Sequence, residues 1–242
     1  MFVKQAANVL EILEFFSRRL HPATPAEIAD ELGWPRSSTF NIVGTLAARG
    51  FLYEPQLRGG YYPSPRWLAL AEIISRAEPL PEEIQRLLHD VAAETGETTL
   101  ISAAAGTHAI FVLVEESFQP VRYFARAGDR VPIHASSAGR ALLEQMSLAA
   151  RHKLYLKMDF QTYSAATPAN ADAVETELAA AFARGYHQSH AEYTPDLAGV
   201  SVALPNQPRL FSITVVGPVS RCLERRCELA AILRQQVAKL PG

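Results

Sequence analysis

Thr24-Pro25-Ala26-Glu27-Ile28-Ala29-Asp30-Glu31-Leu32-Gly33-Trp34-Pro35-Arg36-Ser37-Ser38 packs two helix starts and a helix stop into one short run. Thr24 can cap a helix, Pro25 suits the first helical position because its missing N–H needs no partner there, and Glu27 can reach back to the cap amide. Ile28, Ala29 and Leu32 then share the inward face. Gly33 supplies the left-handed residue that ends the helix. Pro35 fits a second start, and Arg36 to Arg49 reads as a further helix with Thr39, Val43, Leu46 and Ala47 on one side and Gly50 as its stop. Two short helices joined by a tight glycine-bearing turn form a helix-turn-helix. The small Ala29 and Gly33 are expected to let the two helices approach closely.

Upstream, Val9, Leu10, Leu13 and Phe16 recur at helical spacing, so an amphipathic helix precedes the motif. Downstream the period changes from 3.6 to 2. Phe51-Leu52-Tyr53-Glu54 reads as a strand, Arg58-Gly59-Gly60 as a turn and Tyr61-Tyr62-Pro63 as the return strand. A hairpin straight after the last helix is a wing, so residues 1–63 read as a winged helix-turn-helix. That arrangement lays the helix after the turn in the major groove of double-stranded DNA. Arg36, Ser37, Ser38 and Asn41 are its exposed candidates. Phe40 can pack on a sugar or a thymine methyl, and Arg58 at the wing tip can reach a phosphate or the minor groove. The bland alternative is a helical protein-binding module in which these side chains are merely solvated. Residues 1–63 hold six cations (Lys4, Arg18, Arg19, Arg36, Arg49, Arg58) and six acids (Glu11, Glu14, Glu27, Asp30, Glu31, Glu54). The segment is neutral, so DNA affinity has to come from locally placed arginines summed over an oligomer.

Composition sets the outer bounds. The chain has 242 residues, 48% of them hydrophobic and 20% charged, with a net charge of -2. That describes a globular chain of one large or two smaller domains, not one that coats nucleic acid over its whole surface. The N-terminus lacks a leader pattern and no run approaches the ~18 apolar residues of a membrane span. A soluble cytoplasmic protein with no membrane partner is expected. Cys222 and Cys227 are five apart, which fits neither C-x-x-C nor a zinc pattern, so idle thiols are expected.

Ser64-Pro65-Arg66 opens a linker helix, taken as residues 64–78, with Trp67, Leu70, Ala71 and Ile74 in its stripe. The indole leaves water either against its own domains or against the same helix of a second chain. The paired half-sites of a DNA operator favour the second.

Residues 79–242 alternate helix, strands, helices, strands and helix, an α/β pattern that makes the whole chain α+β. Strands are expected at 98–105, 109–115 and 200–204, around Val121, Tyr123 and Ala125, and at 211–217. Helices are expected at 137–147, 149–157, 170–184 and 221–239. In Gly128 to Ala141 an extended run ends in a serine cap and a helix begins with Ser137-Ala138-Gly139. Free amides at that start make a carboxylate site, and small residues there let a ligand approach the backbone. A serine-nucleophile enzyme fits poorly, because Ser137-x-x-Arg140 puts arginine where an S-x-x-K hydrolase needs a base. His187, His190 and Glu192 suggest a metal site only weakly, since strand alternation turns His187 away from the others. No catalytic residue, metal or cofactor is expected.

The chain resembles the isocitrate lyase regulator (IclR) family over nearly its whole length. The resemblance is carried by residues 24–29, 33–38, 46–52 and 128–143, then by Gly185-Tyr186, Glu192 and Val215-Val216-Gly217-Pro218. It implies a winged helix-turn-helix joined by a helix to a GAF-like domain that senses a small metabolite, commonly a carboxylate or aromatic acid, and assembly as a homodimer or tetramer. Family pocket positions carry over to Ser137, Ala138, Tyr123 and Val131, to the polar Ser189, Ser201 and Thr214, and to Val216. Arg140 stands where the family has lysine, and the chain runs two residues longer around 195–199. Val216 in place of a serine, with the Tyr123 ring, suggests a ligand larger and more apolar than a two- or three-carbon acid.

Overall fold

The capping box at Thr24 forms from both ends. Thr24 Oγ1 accepts from the Glu27 amide at 3.3 Å, and the Glu27 carboxylate accepts from the Thr24 amide at 2.8 Å in a computed structural model of the chain. Those bonds, led by the Thr24 amide, hold the Glu27 carboxyl down at about 2. The structure describes residues 3–77, 80–207 and 209–240. It divides into two units, Met1–Pro79 and Leu80–Gly242.

The first unit contains α1 (Lys4–Arg19), α2 (Pro25–Leu32), α3 (Arg36–Ala48), β1 (Leu52–Tyr53), β2 (Tyr62–Pro63) and α4 (Arg66–Ala77). Ile12, Phe15 and Phe16 of α1, Ile28 of α2, Val43 and Leu46 of α3 and Leu52 of β1 form its core. The inward stripe of α1 is thus Asn8-Ile12-Phe15-Phe16, and Leu10 is exposed. The apolar arc of this helix is wide, running from Phe15 through Ile12, Phe16, Val9 and Leu13 to Leu10, and its centre lies nearer the phenylalanines than the four-residue stripe suggests. Pro35 is the residue before α3, not its first. Gly33 ends α2 with φ +67, but a Cβ there would meet nothing within 4 Å. Its role is conformational, not to bring the helices together.

The wing is short, pairing Leu52 with Pro63 and Tyr53 with Tyr62, and a bridge from Tyr61 to Ala23 extends it. Gly60 makes that bridge possible. Its φ is +88, and a Cβ would lie 2.5 Å from Ala23 C and 2.7 Å from Ala23 O. Gly60→Ala is therefore expected to destabilise the first unit by about 2 kcal/mol, read as a lower midpoint in denaturant. An unchanged midpoint would show that the bridge is dispensable.

Trp67 lies against its own unit. Its Nε1 donates to Phe51 O at 2.9 Å and its ring sits 4.5 Å from that of Phe51, so it is not the outward contact expected above. The apolar residues that α4 leaves in solvent are Leu68, Ile73 and Ile74. The expected linker end at residue 78 lies outside the described residues.

The second unit runs α5 (Glu82–Thr95), β3 (Thr98–Ala105), β4 (His108–Glu115), β5 (Arg130–Pro132), α6 (Ser137–Glu144), α7 (Leu148–Tyr155), α8 (Ala171–Arg184), β6 (His187–His190), β7 (Leu197–Leu204), β8 (Phe211–Pro218), α9 (Val219–Cys222) and α10 (Arg226–Val237). Its sheet is antiparallel in the order β5-β4-β3-β8-β7-β6. One face buries Ile101, Val200, Ile213 and Val215 against Ile84, Leu88 and Val91 of α5 and Leu229 and Leu233 of α10. The period of two turns Leu100, Thr214 and Val216 to the other face, where Leu100 and Val216 cluster with Phe111, Val131 and Leu142 of α6.

Three expectations fail here. Residues 121–125 are not a strand, because Val121 is exposed while Ala125 is buried and side chains, not a ladder, hold their backbone. The last helix is two, broken at 223–225, with α9 turning Arg221 toward Glu97. A strand over 187–190, absent from the strands expected above, closes the sheet edge. Cys222 is buried with its thiol pushed up to about 12 by burial, while Cys227 is exposed. Among the described residues no helix is long and apolar enough to cross a membrane.

Candidate nucleic-acid interface and effector pocket

On α3 the buried positions Thr39, Val43 and Leu46 recur at helical spacing, so the opposite side is free. Arg36, Ser37, Ser38, Phe40 and Asn41 are all exposed, and Gly44, Thr45 and Ala48 continue the face. Phe40 is 54% exposed, an unusual position for phenylalanine in a helix with a core-facing side available. Among the described residues Arg36 pairs only with Asp30, at 3.5 Å with both side chains exposed, so its guanidinium can turn outward at little cost. Arg58 sits in the wing turn with φ 60. Lys4, Gln5 and Asn8 of α1 line a groove with Ser38 and Asn41, three polar residues that the sequence reading missed because α1 was judged only by its apolar stripe.

In the second unit the extended run 130–135 delivers Ser136 to the start of α6, where its Oγ accepts from the Gly139 amide at 3.2 Å. The Ser137 and Ala138 amides precede any acceptor inside the helix. Gly139 is small for a different reason than expected: a Cβ would lie 2.2 Å from Ile133 O, so it seats the helix on its own incoming strand.

A cavity with about 460 Å³ of empty space, counting its mouth, opens above Ser137. Tyr123, Val131, Ser137, Ala138, Ser189, Thr214 and Val216 line it, seven of the eight positions the resemblance implied. Ser201 stands one layer behind. Ser201 Oγ donates to Ser137 Oγ at 2.9 Å, Ser189 Oγ donates to it at 3.3 Å, and Thr214 Oγ1 lies 2.7 Å from Ser201 Oγ. A hydroxyl has one proton. Ser137 accepts twice, which leaves its own proton for the cavity. Gly199 gives this cluster its space, since a Cβ there would lie 2.8 Å from Ser137 Oγ and 3.0 Å from Ser189 Oγ.

Leu100, Phe111, Val131, Leu197 and Val216, with the Tyr123 and Tyr193 rings, form the apolar part of the walls, and Thr194 and Thr214 add polar groups. Phe111 and Tyr123 meet edge to face at 6.5 Å. Burial pushes the Tyr123 phenol up to about 12, so it remains a neutral donor. Leu100, Phe111, Tyr193 and Leu197 were missed. The first two carried a usable signal, since their strand period puts them on this face.

Glu192 also borders the cavity, but its charge is matched. Arg140, 1% exposed, reaches one oxygen at 2.5 Å through Nη1 and the other at 2.9 Å through Nη2. Arg140 further donates to His134 O at 2.8 Å and to Gln188 O. His187 instead pairs with Glu144 at 2.8 Å, and His190 is exposed. The three candidate ligands are thus dispersed, and no metal-holding group occurs among the described residues.

An exposed helix of a winged helix-turn-helix and a cavity at a helix start in an α/β unit fit a DNA-binding regulator with a sensor domain. Residues 5–55 match the IclR helix-turn-helix domain and residues 73–241 match the family Bacterial transcriptional regulator IclR C-terminal. The chain belongs to the IclR family of transcriptional regulators, a regulatory family and not one of enzymes. It is similar to the transcriptional repressor IclR of Escherichia coli (24% identical, covering 93% of this chain and 83% of that one) and to the regulator BhcR of Paracoccus denitrificans (27%, covering 92% and 79%). Its fold matches the Thermotoga maritima IclR crystal structure with a TM-score of 0.75 (18% identical, covering 97% and 96%). An IclR homolog from Microbacterium hydrocarbonoxydans, solved in complex with 4-hydroxybenzoate, matches with a TM-score of 0.70 (22% identical, covering 98% and 100%).

Proposed function

We propose that this regulator senses an aromatic or similarly apolar monocarboxylate in the cavity at the start of α6, and that occupancy changes its affinity for operator DNA. The observation that carries the ligand class is the Ser137 hydroxyl. It accepts from two serines and is left as a donor beside free helix amides, under walls that are mostly apolar and aromatic. The Arg140 guanidinium cancels the Glu192 charge, so an incoming carboxylate meets no net repulsion. The ring-bearing wall accommodates more apolar surface than a two- or three-carbon acid presents.

On the DNA side, Arg36, Ser37, Ser38, Phe40 and Asn41 enter the major groove and Arg58 reaches the backbone. A neutral domain needs two copies to bind tightly. Leu68, Ile73 and Ile74 of α4, with Leu10 of α1, are among the apolar residues exposed on the first unit and are the ones assigned to a homodimer contact.

Thermal unfolding in the presence of 4-hydroxybenzoate, 4-hydroxybenzamide and pyruvate tests the ligand class. A ligand at a hundredfold excess over Kd stabilises by about 2.7 kcal/mol, which is roughly 5–10 °C for a protein of this size. The aromatic acid should raise the midpoint and the amide should not. A larger shift with pyruvate, or equal shifts with acid and amide, would refute this reading.

A further inference from the structure

Between β4 and β5 the chain crosses residues 116–127 without pairing into the sheet, rejoining β4 only where Gly128 and Asp129 bond the Phe111 backbone, and this segment supplies Tyr123 to the cavity wall. Its larger apolar side chains do little to hold it down: Phe118 is 98% exposed, and Val121 and Phe124 also face solvent, leaving the Tyr123 ring and the small Ala125 to pack inward. The other ties are polar. Thr98 Oγ1 donates to Tyr123 O at 2.8 Å and accepts from the Ser117 amide at 3.2 Å, while Ser117 Oγ donates to Gly96 O at 2.6 Å. The remaining tie comes from far along the chain. Arg221 of α9 grips the buried Glu97 carboxylate with Nε at 2.5 Å and Nη2 at 2.8 Å, and the same Nη2 donates to Val121 O at 2.8 Å. Gly217 leaves the space, since a Cβ there would lie 2.4 Å from Glu97 Oε2 and 2.8 Å from Cys222 Sγ.

We infer that Glu97 and Arg221 are positioning residues for the effector pocket: their ion pair straps the 117–123 segment so that Tyr123 closes the cavity, and thereby sets how tightly ligand is retained. This rests on the assignment of the cavity as the ligand site. A segment whose two phenylalanines face solvent gains little by staying in place unless its backbone is held. Thr98 ties that backbone to β3, and Arg221 adds a tie through a fixed buried anion. Glu97 is 2% exposed and fully engaged by the guanidinium fork, so the strap has a defined geometry that a lone surface arginine would lack.

The test uses the full chain as wild type, Arg221→Met, and the Glu97→Gln/Arg221→Met double variant. The single variant strands a buried carboxylate and loses global stability. The double variant has no stranded charge and should recover most of the thermal midpoint, but it still lacks the strap. Hydrogen exchange read by mass spectrometry should show the 117–124 amides exchanging at least tenfold faster in both variants, with β3 and β8 in the double variant at the wild-type rate. Exchange in 117–124 that returns to the wild-type rate in the double variant would reduce the pair to a structural role and overturn the inference. Titrated with 4-hydroxybenzoate, the double variant should dissociate ligand about tenfold faster than wild type, and an equal rate would overturn the retention claim. Should wild type not bind 4-hydroxybenzoate, the proposed ligand class fails, while the exchange data still decide whether the strap exists.

Discussion

Replacing Glu192 with alanine should destabilise the second unit by about 3–5 kcal/mol, the cost typical of breaking a buried ion pair from one side. Arg140 is 1% exposed and Glu192 11%. Without the carboxylate, the guanidinium keeps only the His134 and Gln188 carbonyls as acceptors and carries an unmatched charge in a dry interior. The consequence extends past stability, because Arg140 lies one turn into α6, whose first residues floor the cavity. In a protein of this size the loss corresponds to a fall of roughly 10 °C in the unfolding midpoint. Arg140→Met/Glu192→Met should recover most of it, since an apolar pair leaves nothing stranded. A single variant as stable as wild type would show that the pair is solvated in practice.

Arg36→Ala should weaken binding to a duplex selected by the wild-type protein by roughly a hundredfold, taking about 1–3 kcal/mol per arginine and two arginines in the proposed dimer. Arg36 has no structural duty beyond a loose contact with Asp30, so the unfolding midpoint should hardly move. That contrast makes the variant informative. Salt dependence then identifies what Arg36 touches. A phosphate contact flattens the log–log slope by about one per chain, whereas a base contact leaves the slope and relaxes sequence preference. Equal affinity for wild type and variant at fixed salt would remove Arg36 from the interface.

How much of this was legible in the sequence divides along physical lines. Local chemistry was readable. The Thr24 box, the left-handed Gly33 and the Ser136 cap each act within four residues, and each forms. Periodicity placed both α1 and α3 as helices with one face inward, but on α1 the apolar arc is wide, so it put Leu10 inside and left out Ile12 and Phe15. Alternation at Val121, Tyr123 and Ala125 looked like a strand, but a strand needs a neighbour, and this backbone is held by Thr98 and Arg221 instead. Small residues were read correctly as significant but for the wrong cause at Gly139, whose missing Cβ serves the Ile133 backbone. The partners that decide the pocket are distant in the chain. Arg140 and Glu192 are 52 positions apart, and Glu97 and Arg221 are 124 apart. Spacing within one sequence carries no signal for such pairs, and only the resemblance brought Ser189, Ser201 and Thr214 to the same place as Ser137.

The most direct test compares duplex affinity with and without saturating 4-hydroxybenzoate, in wild type and in two variants that fill the cavity from different sides, Ser137→Trp and Val216→Trp. The account predicts that ligand shifts wild-type affinity by tenfold or more. Both variants should bind the ligand-free duplex as wild type does, showing that they are folded, and should give no response to the acid. Variants that respond undiminished, or a wild-type protein whose DNA affinity no aromatic carboxylate alters, would contradict it.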